Sequence, residues 1–201
     1  MEAIFNFMSN AALPIIGAFI GFLGGLISAR LSQRNKQADL IVHFHRQFDE
    51  MQKKRTEIRI AWANRGSKTA LSFDNPADIA LSTEIEMFFD RFWSLQFDEF
   101  HAWYEGYIPT SLYTYWAWAR WRQFHFSSPG WNYGERNLRS TVKSLPERWA
   151  INTDDSSHVA KFVNLMLTLY DQSAAPDLKR LLKEYGPSGW ERIARHLHFG
   201  N

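Results

Sequence analysis

The chain contains no cysteine. This absence excludes a disulfide framework, a thiolate metal site, a cysteine nucleophile and lipidation on cysteine. The sequence also lacks a phosphate-cradling glycine loop, a zinc-protease helix signature and a nucleophile elbow, which are short motifs typical of enzyme sites. We therefore expect a protein that is not an enzyme and that needs no cofactor.

An excess of one charge is also lacking, because 23 basic residues stand against 21 acidic ones and the formal net charge is +2. Proteins that coat long nucleic acid by electrostatics have a more basic balance, so long nucleic acid is not an expected partner. Aromatic residues are abundant, with 9 Trp, 16 Phe and 7 Tyr among 201 residues. Such rings either bury large areas in a core or offer flat faces to flat ligands. The length suits one domain with a short appendage.

The appendage is an apolar run, AALPIIGAFIGFLGGLISA, which covers residues 11–29 without a charge. At about 1.5 Å rise per residue, a helix of this length nearly spans the roughly 30 Å hydrocarbon core of a bilayer. A cleaved signal peptide is one alternative, but it needs a positive charge ahead of the run, and no Lys or Arg precedes Arg30. A buried core helix is another, and it would have to be hidden on every face. We predict a transmembrane helix at 11–31 after a short tail, 1–10.

The charges around this helix predict its orientation. Arg30, Arg34 and Lys36 follow the apolar run, whereas the tail carries only Glu2. By the positive-inside rule, the tail lies outside the cell and residues 32–201 form a cytoplasmic domain. The expected location is the inner membrane, with a single pass through the lipid bilayer.

Glycines within the predicted membrane helix recur every four residues, at Gly17, Gly21 and Gly25, with Ala29 next in the series. A ridge of small residues lets another helix approach closely, which favours self-association. The alternative is that glycine and alanine are simply common in transmembrane helices. We predict that these three glycines pack membrane helices into a homo-oligomer.

The remaining sequence predicts an all-α fold. Apolar residues have helical spacing over 37–64, and no helix breaker separates that stretch from the apolar run. Thr83 and Glu86 have capping-box spacing, so they predict the start of a second helix that ends before Gly106. Further helices are predicted to begin at Pro109, at residues 154–156, at Pro176 and at Ser188. Residues 131–143 are expected to be part loop and part helix, and alternation with a period of two is not sustained anywhere.

Two Asp-x-x-His spacings are the best metal candidate, from Asp98 to His101 and from Asp155 to His158. Residues three apart share a helix face, as the carboxylates and histidines of di-metal bundles do. Such a bundle also needs further carboxylates, and the pattern is loose enough to arise by chance. We therefore predict no metal site.

The densest aromatic and basic segment is YTYWAWARWRQFHF, residues 113–126. Rings stack on bases and arginine binds phosphate oxygens in bidentate geometry, so the pattern favours a nucleotide ligand. Arginine stacked on tryptophan within a folded core is the alternative. The segment that follows mixes hydrogen-bond donors, rings and a glycine, as loops that close over ligands do. The predicted ligand-binding residues are Arg120, Trp121, Arg122, His125, Trp131, Asn132, Tyr133, Arg136 and Arg139.

The order of these segments resembles a widespread uncharacterised family of bacterial membrane-anchored helical proteins. The resemblance rests on the basic stop after the membrane helix, on LIVHFHRQFDEMQKKRTEIR, on the turn at Glu105-Gly106-Tyr107-Ile108 and on the pair Tyr115-Trp116. It covers roughly residues 10–125. It implies a membrane-anchored helical protein and names no chemistry.

The overall plan is also similar to a membrane effector of type III CRISPR systems, in which a membrane helix region precedes a cytoplasmic domain that binds cyclic tetra-adenylate. This resemblance implies a tetramer that binds a cyclic oligoadenylate and then perturbs the membrane by a pore or by disruption. It assigns no individual binding residue. The expected function is therefore an antiviral defence effector. The alternative is a membrane-tethered protein-interaction scaffold without a small-molecule ligand.

Overall fold

The computed structural model describes residues 2–65, 71–72, 74–126 and 131–188. Before residue 34 it describes only the helical backbone, apart from residues 25, 28, 31 and 32. Among the residues whose side chains are described, no helix is long and apolar enough to cross a membrane. Most of the predicted membrane helix, 11–31, lies outside those residues.

The first helix, α1, runs without interruption from Glu2 to Ala63. The helix predicted for 37–64 is therefore confirmed, and its backbone is continuous with the apolar run. Phe44 and Ile58 lie on its buried side and are 4% and 0% exposed. Its second half is thus built into the core of the domain.

The second helix, α2, spans Pro76–Tyr104 and begins earlier than predicted. Asn75 caps it, since its side-chain oxygen accepts a hydrogen bond from Ala77 N at 3.0 Å, and Pro76 suits the first helical position. Thr83 lies within the helix and donates its hydroxyl to Ile79 O at 3.0 Å. The capping box predicted at Thr83 is therefore wrong, because the Asn-Pro pair provides an earlier start.

A buried ion pair fixes the connection between α1 and α2. Arg65 donates from Nε and from its terminal nitrogen to the two carboxylate oxygens of Asp78, at 2.8 and 3.0 Å. Ser72 N donates to the same carboxylate at 3.0 Å. The side chains of Arg65 and Asp78 are 9% and 6% exposed. Shielding from water makes this pair far more costly to break than a surface pair.

The third helix, α3, spans Thr110–His125 and confirms the helix predicted after Pro109. Two short antiparallel strands follow, β1 at Asn132–Tyr133 and β2 at Arg136–Asn137. Two short helices come next, α4 at Leu138–Lys143 and α5 at Leu145–Arg148. The hairpin was not predicted, because two-residue strands are too short to produce a period of two.

Helix α6 spans His158–Asp171 and α7 spans Leu178–Tyr185. Ser157 caps α6 by accepting a hydrogen bond from Ala160 N at 3.2 Å, so the start predicted at 154–156 is a few residues early. The helix predicted from Ser188 onward lies outside the described residues except for Ser188 itself.

Aromatic side chains fill the core of this all-α fold. Helix α2 packs along α1 on one side and against α3 and α6 on the other. The rings that are fully hidden from solvent include four from α2, one from α3 and one from α6, namely Phe89, Phe92, Trp93, Phe100, Phe124 and Phe162. Ring pairs such as Phe92 and Trp93, 5.0 Å apart and nearly perpendicular, add edge-to-face contacts to the burial. Core packing therefore accounts for much of the aromatic content.

Candidate functional site

Helix α3 carries four of the predicted ligand-binding residues, and the structure divides them between core and surface. Arg120 and Trp121 are 4% and 6% exposed. Trp121 Nε1 donates to Gln172 O at 2.8 Å, and the half-buried His125 lies with Nδ1 2.9 Å from Trp121 O. Arg122 is exposed, and its guanidinium stacks 4.7 Å from the ring centre of Trp118.

The other five predicted ligand-binding residues lie just before the hairpin, within it and in α4. Trp131 and Tyr133 are 4% and 1% exposed, whereas Asn132 at the start of β1 is exposed. Arg136 forms an ion pair with Glu86 of α2, and Arg139 Nε donates to Phe124 O at 2.6 Å. The two arginines therefore bind partners in different parts of the fold.

The structure does bring Arg120 and Trp131 together, but inside the core. The Arg120 guanidinium lies 4.8 Å from the ring centre of Phe92, and the Trp131 ring lies 4.9 Å from the same ring. A nucleotide could reach either residue only if the core opened. The nine predicted residues therefore do not form one exposed surface.

Arg120 belongs to a buried polar cluster between α2 and α3, with Gln96, Glu99 and Tyr113. It donates to the side-chain oxygens of Gln96 and Gln123. Burial raises the pKa of Glu99 to about 7, and the Arg120 charge opposes that rise. Burial also raises the pKa of Tyr113 well above its usual value.

The aromatic and basic pattern of the sequence indicates Arg120 but not its partners Gln96 and Glu99. The available signal was their position, because both lie on the apolar side of α2 between Phe92 and Phe100. Polar residues at core positions of a helix need buried partners. A buried arginine on the next helix supplies such a partner.

A groove between α1 and α2 forms a surface concavity with a volume of about 600 Å³. Its apolar surface comes from Met51 of α1 and from Met87, Phe88 and Leu95 of α2. Met87 is 49% exposed, which is high for an apolar side chain. The size lies within the range of ligand pockets, and Met87 makes part of the apolar lining accessible from solvent.

The rim of the groove is acidic. Its two cations are Lys54 and Arg91. Its four carboxylates are Glu50, Glu84, Asp90 and Asp98. Lys54 is already paired with Glu84 and with Glu57, at 3.4 Å each. Burial raises the pKa of Asp98 above its ordinary value, and His101 and His43 oppose that rise. Asp90 is paired with Arg148 at 3.0 Å, so Glu50 and Asp98 are the rim carboxylates outside these ion pairs, and they favour a positively charged occupant.

The outer face of α3 exposes a second set of aromatic groups. Tyr115 and Trp118 are 64% and 39% exposed, and Arg122 lies one turn beyond Trp118. Residues spaced by three and four share one helix face. This face has two rings and a guanidinium accessible to solvent.

The glycines of the predicted membrane ridge have little structural description. Gly25 is exposed, and nothing in the described chain lies within 4 Å of a Cβ built at this position. Gly17 and Gly21 lie outside the residues whose surroundings are described.

Comparison with protein-family models, with curated proteins and with solved structures finds no match for this chain.

Proposed function

We propose that this protein is a membrane-tethered interaction scaffold whose α1–α2 groove binds a basic amphipathic helix of a partner protein. The observation that carries the proposal is the groove itself, in which exposed Met87 lies between acidic rims. Helix-in-groove binding buries the apolar face of one amphipathic helix in a hydrophobic cleft.

Both parts of the groove suit such an occupant. Methionine side chains are flexible and polarisable, so Met51 and Met87 can adapt to apolar groups of different shape. The carboxylates along the rim attract lysine or arginine on the flanks of the incoming helix and speed its association. An anionic ligand would meet repulsion at the same positions.

The tether is the segment 11–31, which we propose crosses the inner membrane and leaves residues 32–201 in the cytoplasm. Its support comes from the uncharged run and from the basic residues that follow it. Because α1 extends from Glu2 to Ala63, the helix that lines the groove also continues into the tether. Packing at Gly17, Gly21 and Gly25 would then present several grooves on one oligomer.

The test is peptide binding to the full chain in nanodiscs of zwitterionic lipid. A short synthetic helix of leucine and lysine is compared with a matched helix of leucine and glutamate by fluorescence anisotropy. We expect the lysine peptide to bind more tightly. Met87→Lys should raise its dissociation constant by more than about tenfold, a loss of about 1.4 kcal/mol, because the new charge lies in the apolar part of the groove.

Ile79→Lys is the matched control. Ile79 is also an exposed apolar residue of α2, 44% exposed, but it does not line the groove. This variant should bind the lysine peptide as the unaltered chain does. Equal affinity for the two peptides, or equal losses in the two variants, would contradict the proposal.

A second candidate is the antiviral effector that binds cyclic tetra-adenylate, assembles as a tetramer and perturbs the membrane. The specific observation that favours it is the exposed α3 face, because Trp118 and Arg122 are already stacked at 4.7 Å. Exposed rings of this kind provide stacking platforms for bases, and a guanidinium binds phosphate. The α1–α2 groove has no role in this second candidate function.

Calorimetric titration of cyclic tetra-adenylate into the full chain, with linear tetra-adenylate as the control, tests the second candidate. Trp118→Ala should abolish selective binding, because it removes a ring that stacks on a base. Absence of binding by the unaltered folded chain would eliminate this candidate and leave the groove proposal untouched.

A further inference from the structure

We propose that His101, Glu105 and His158 form a binding site for one divalent cation of the zinc class. His101 and Glu105 lie one turn apart at the C-terminal end of α2, and His158 is the first residue of α6. Their ligand atoms all lie within 4.8 Å of one another. The site is separate from the α1–α2 groove and does not depend on the proposed function.

The separation of the two histidine nitrogens matches the edge of a tetrahedral site, and the carboxylate lies somewhat farther away. His158 Nδ1 lies 3.4 Å from His101 Nδ1 and 3.8 Å from Glu105 Oε1. Zinc binds histidine nitrogen and carboxylate oxygen at about 2.0–2.2 Å, so two ligand atoms on one tetrahedral ion lie about 3.3–3.6 Å apart. The two nitrogens already have this separation, and the carboxylate, which lies within 4.8 Å of both, has to move closer.

A direct hydrogen bond explains the histidine pair less well. Protein hydrogen bonds from nitrogen usually measure about 2.7–3.2 Å, which is shorter than the contact between His101 and His158. A shared cation accounts for this separation, because each imidazole binds the ion through a nitrogen lone pair.

Aromatic packing holds the two rings in place. The ring of His101 stacks on Phe97 with centres 5.9 Å apart, and the ring of His158 lies 4.1 Å from that of Tyr104. Rings held in this way lose little freedom when a metal binds, so the site is partly preorganised.

The surrounding charges favour a cation on balance. Asp98 interacts electrostatically with His101, and Glu105 itself contributes a carboxylate. The C-terminal end of the α2 dipole adds negative potential, whereas the start of α6 opposes it. Lys161 also opposes it, but its ammonium group lies 2.7 Å from the hydroxyl of Tyr104, to which it donates a hydrogen bond.

The donor set indicates the class of metal. Two imidazole nitrogens and one carboxylate oxygen are a typical zinc set and leave a fourth position for water. Magnesium and calcium prefer sites made of oxygen ligands. A bound ion would connect the end of α2 to the start of α6.

The sequence prediction of no metal site rested on the Asp-x-x-His spacings, and these contain both histidines of the cluster. The structure combines them with Glu105 rather than with Asp155. That combination depends on the packing of α2 against α6, which spacing within one helix cannot predict.

Calorimetric titration of zinc into the full chain, stripped of metal and held in detergent micelles, tests the site, with magnesium as the control ion. We expect one zinc ion per chain at this site and no comparable binding of magnesium. His101→Ala and Glu105→Gln should each weaken zinc binding by more than about tenfold. His45→Ala, which removes an exposed histidine of α1 outside the cluster, should leave it unchanged.

His101 is exposed, so its replacement leaves the core intact, and circular dichroism verifies that each variant is folded. Absence of zinc binding by the unaltered chain would overturn the proposal. Binding that persists unchanged in His101→Ala and in Glu105→Gln would also overturn it, since the ion would then lie elsewhere.

Discussion

Replacing the buried Glu99 by glutamine should remove a large part of the pH dependence of stability. Glu99 is 5% exposed, and burial raises its pKa from 4.5 to about 7. Between these values the folded chain binds a proton that the unfolded chain has released. Stability contributed by this group is therefore fully present below about pH 4.5 and is lost as the pH rises through 7.

The size of the loss follows from the difference between the two pKa values. Each tenfold change in proton affinity corresponds to about 1.4 kcal/mol, so the shift of Glu99 amounts to about 3 kcal/mol. Glutamine at this position cannot titrate. The unfolding free energy of Glu99→Gln, relative to that of the unaltered chain, should thus rise by about this amount between pH 4.5 and pH 8.

Urea unfolding of the full chain in nonionic micelles, followed by tryptophan fluorescence over this pH range, measures the difference. Glu147→Gln provides the control, because Glu147 is exposed on α5. This variant should show the same dependence of unfolding free energy on pH as the unaltered chain. A difference between Glu99→Gln and the unaltered chain that stays constant with pH would refute the reasoning.

Two further substitutions test the packing around the core by their thermal unfolding midpoints. Asp78→Ala removes the carboxylate from the 9%-exposed Arg65, which should cost about 3–5 kcal/mol, and an unchanged midpoint would contradict the ion pair. Gly186→Ala would place a Cβ 2.3 Å from Leu182 O and 2.8 Å from a ring carbon of Trp103. Such overpacking should cost about 1–3 kcal/mol, and a midpoint at or above that of the unaltered chain would show that the contact can relax.

Much of the helical architecture could be predicted from the sequence, because long helices leave a periodic apolar pattern. The stretch 37–64 and the helix after Pro109 are examples, and both are present. Helix starts were less predictable, as at Thr83, since several residues compatible with capping compete. The hairpin of β1 and β2 left no periodic signal.

The candidate sites were harder to predict, because they depend on which helices meet. A segment rich in aromatic and basic residues has the same sequence pattern whether it forms a ligand site or part of a core. Only the packing of the helices shows that Arg120 and Trp131 are buried. The α1–α2 groove joins Met51 and Met87, which are far apart along the chain. Charge and hydropathy within a single helix do not indicate such a pairing.

Methyl resonances of methionine test the groove proposal most directly. The chain has 5 methionines, of which Met51 and Met87 line the groove and Met166 is buried in the core. The spectrum of the full chain in micelles, labelled at the methionine methyl groups, is recorded while the leucine and lysine helix is added. The account predicts that Met51 and Met87 shift together while Met166 does not. Binding of the peptide without any shift at Met51 and Met87 would contradict it.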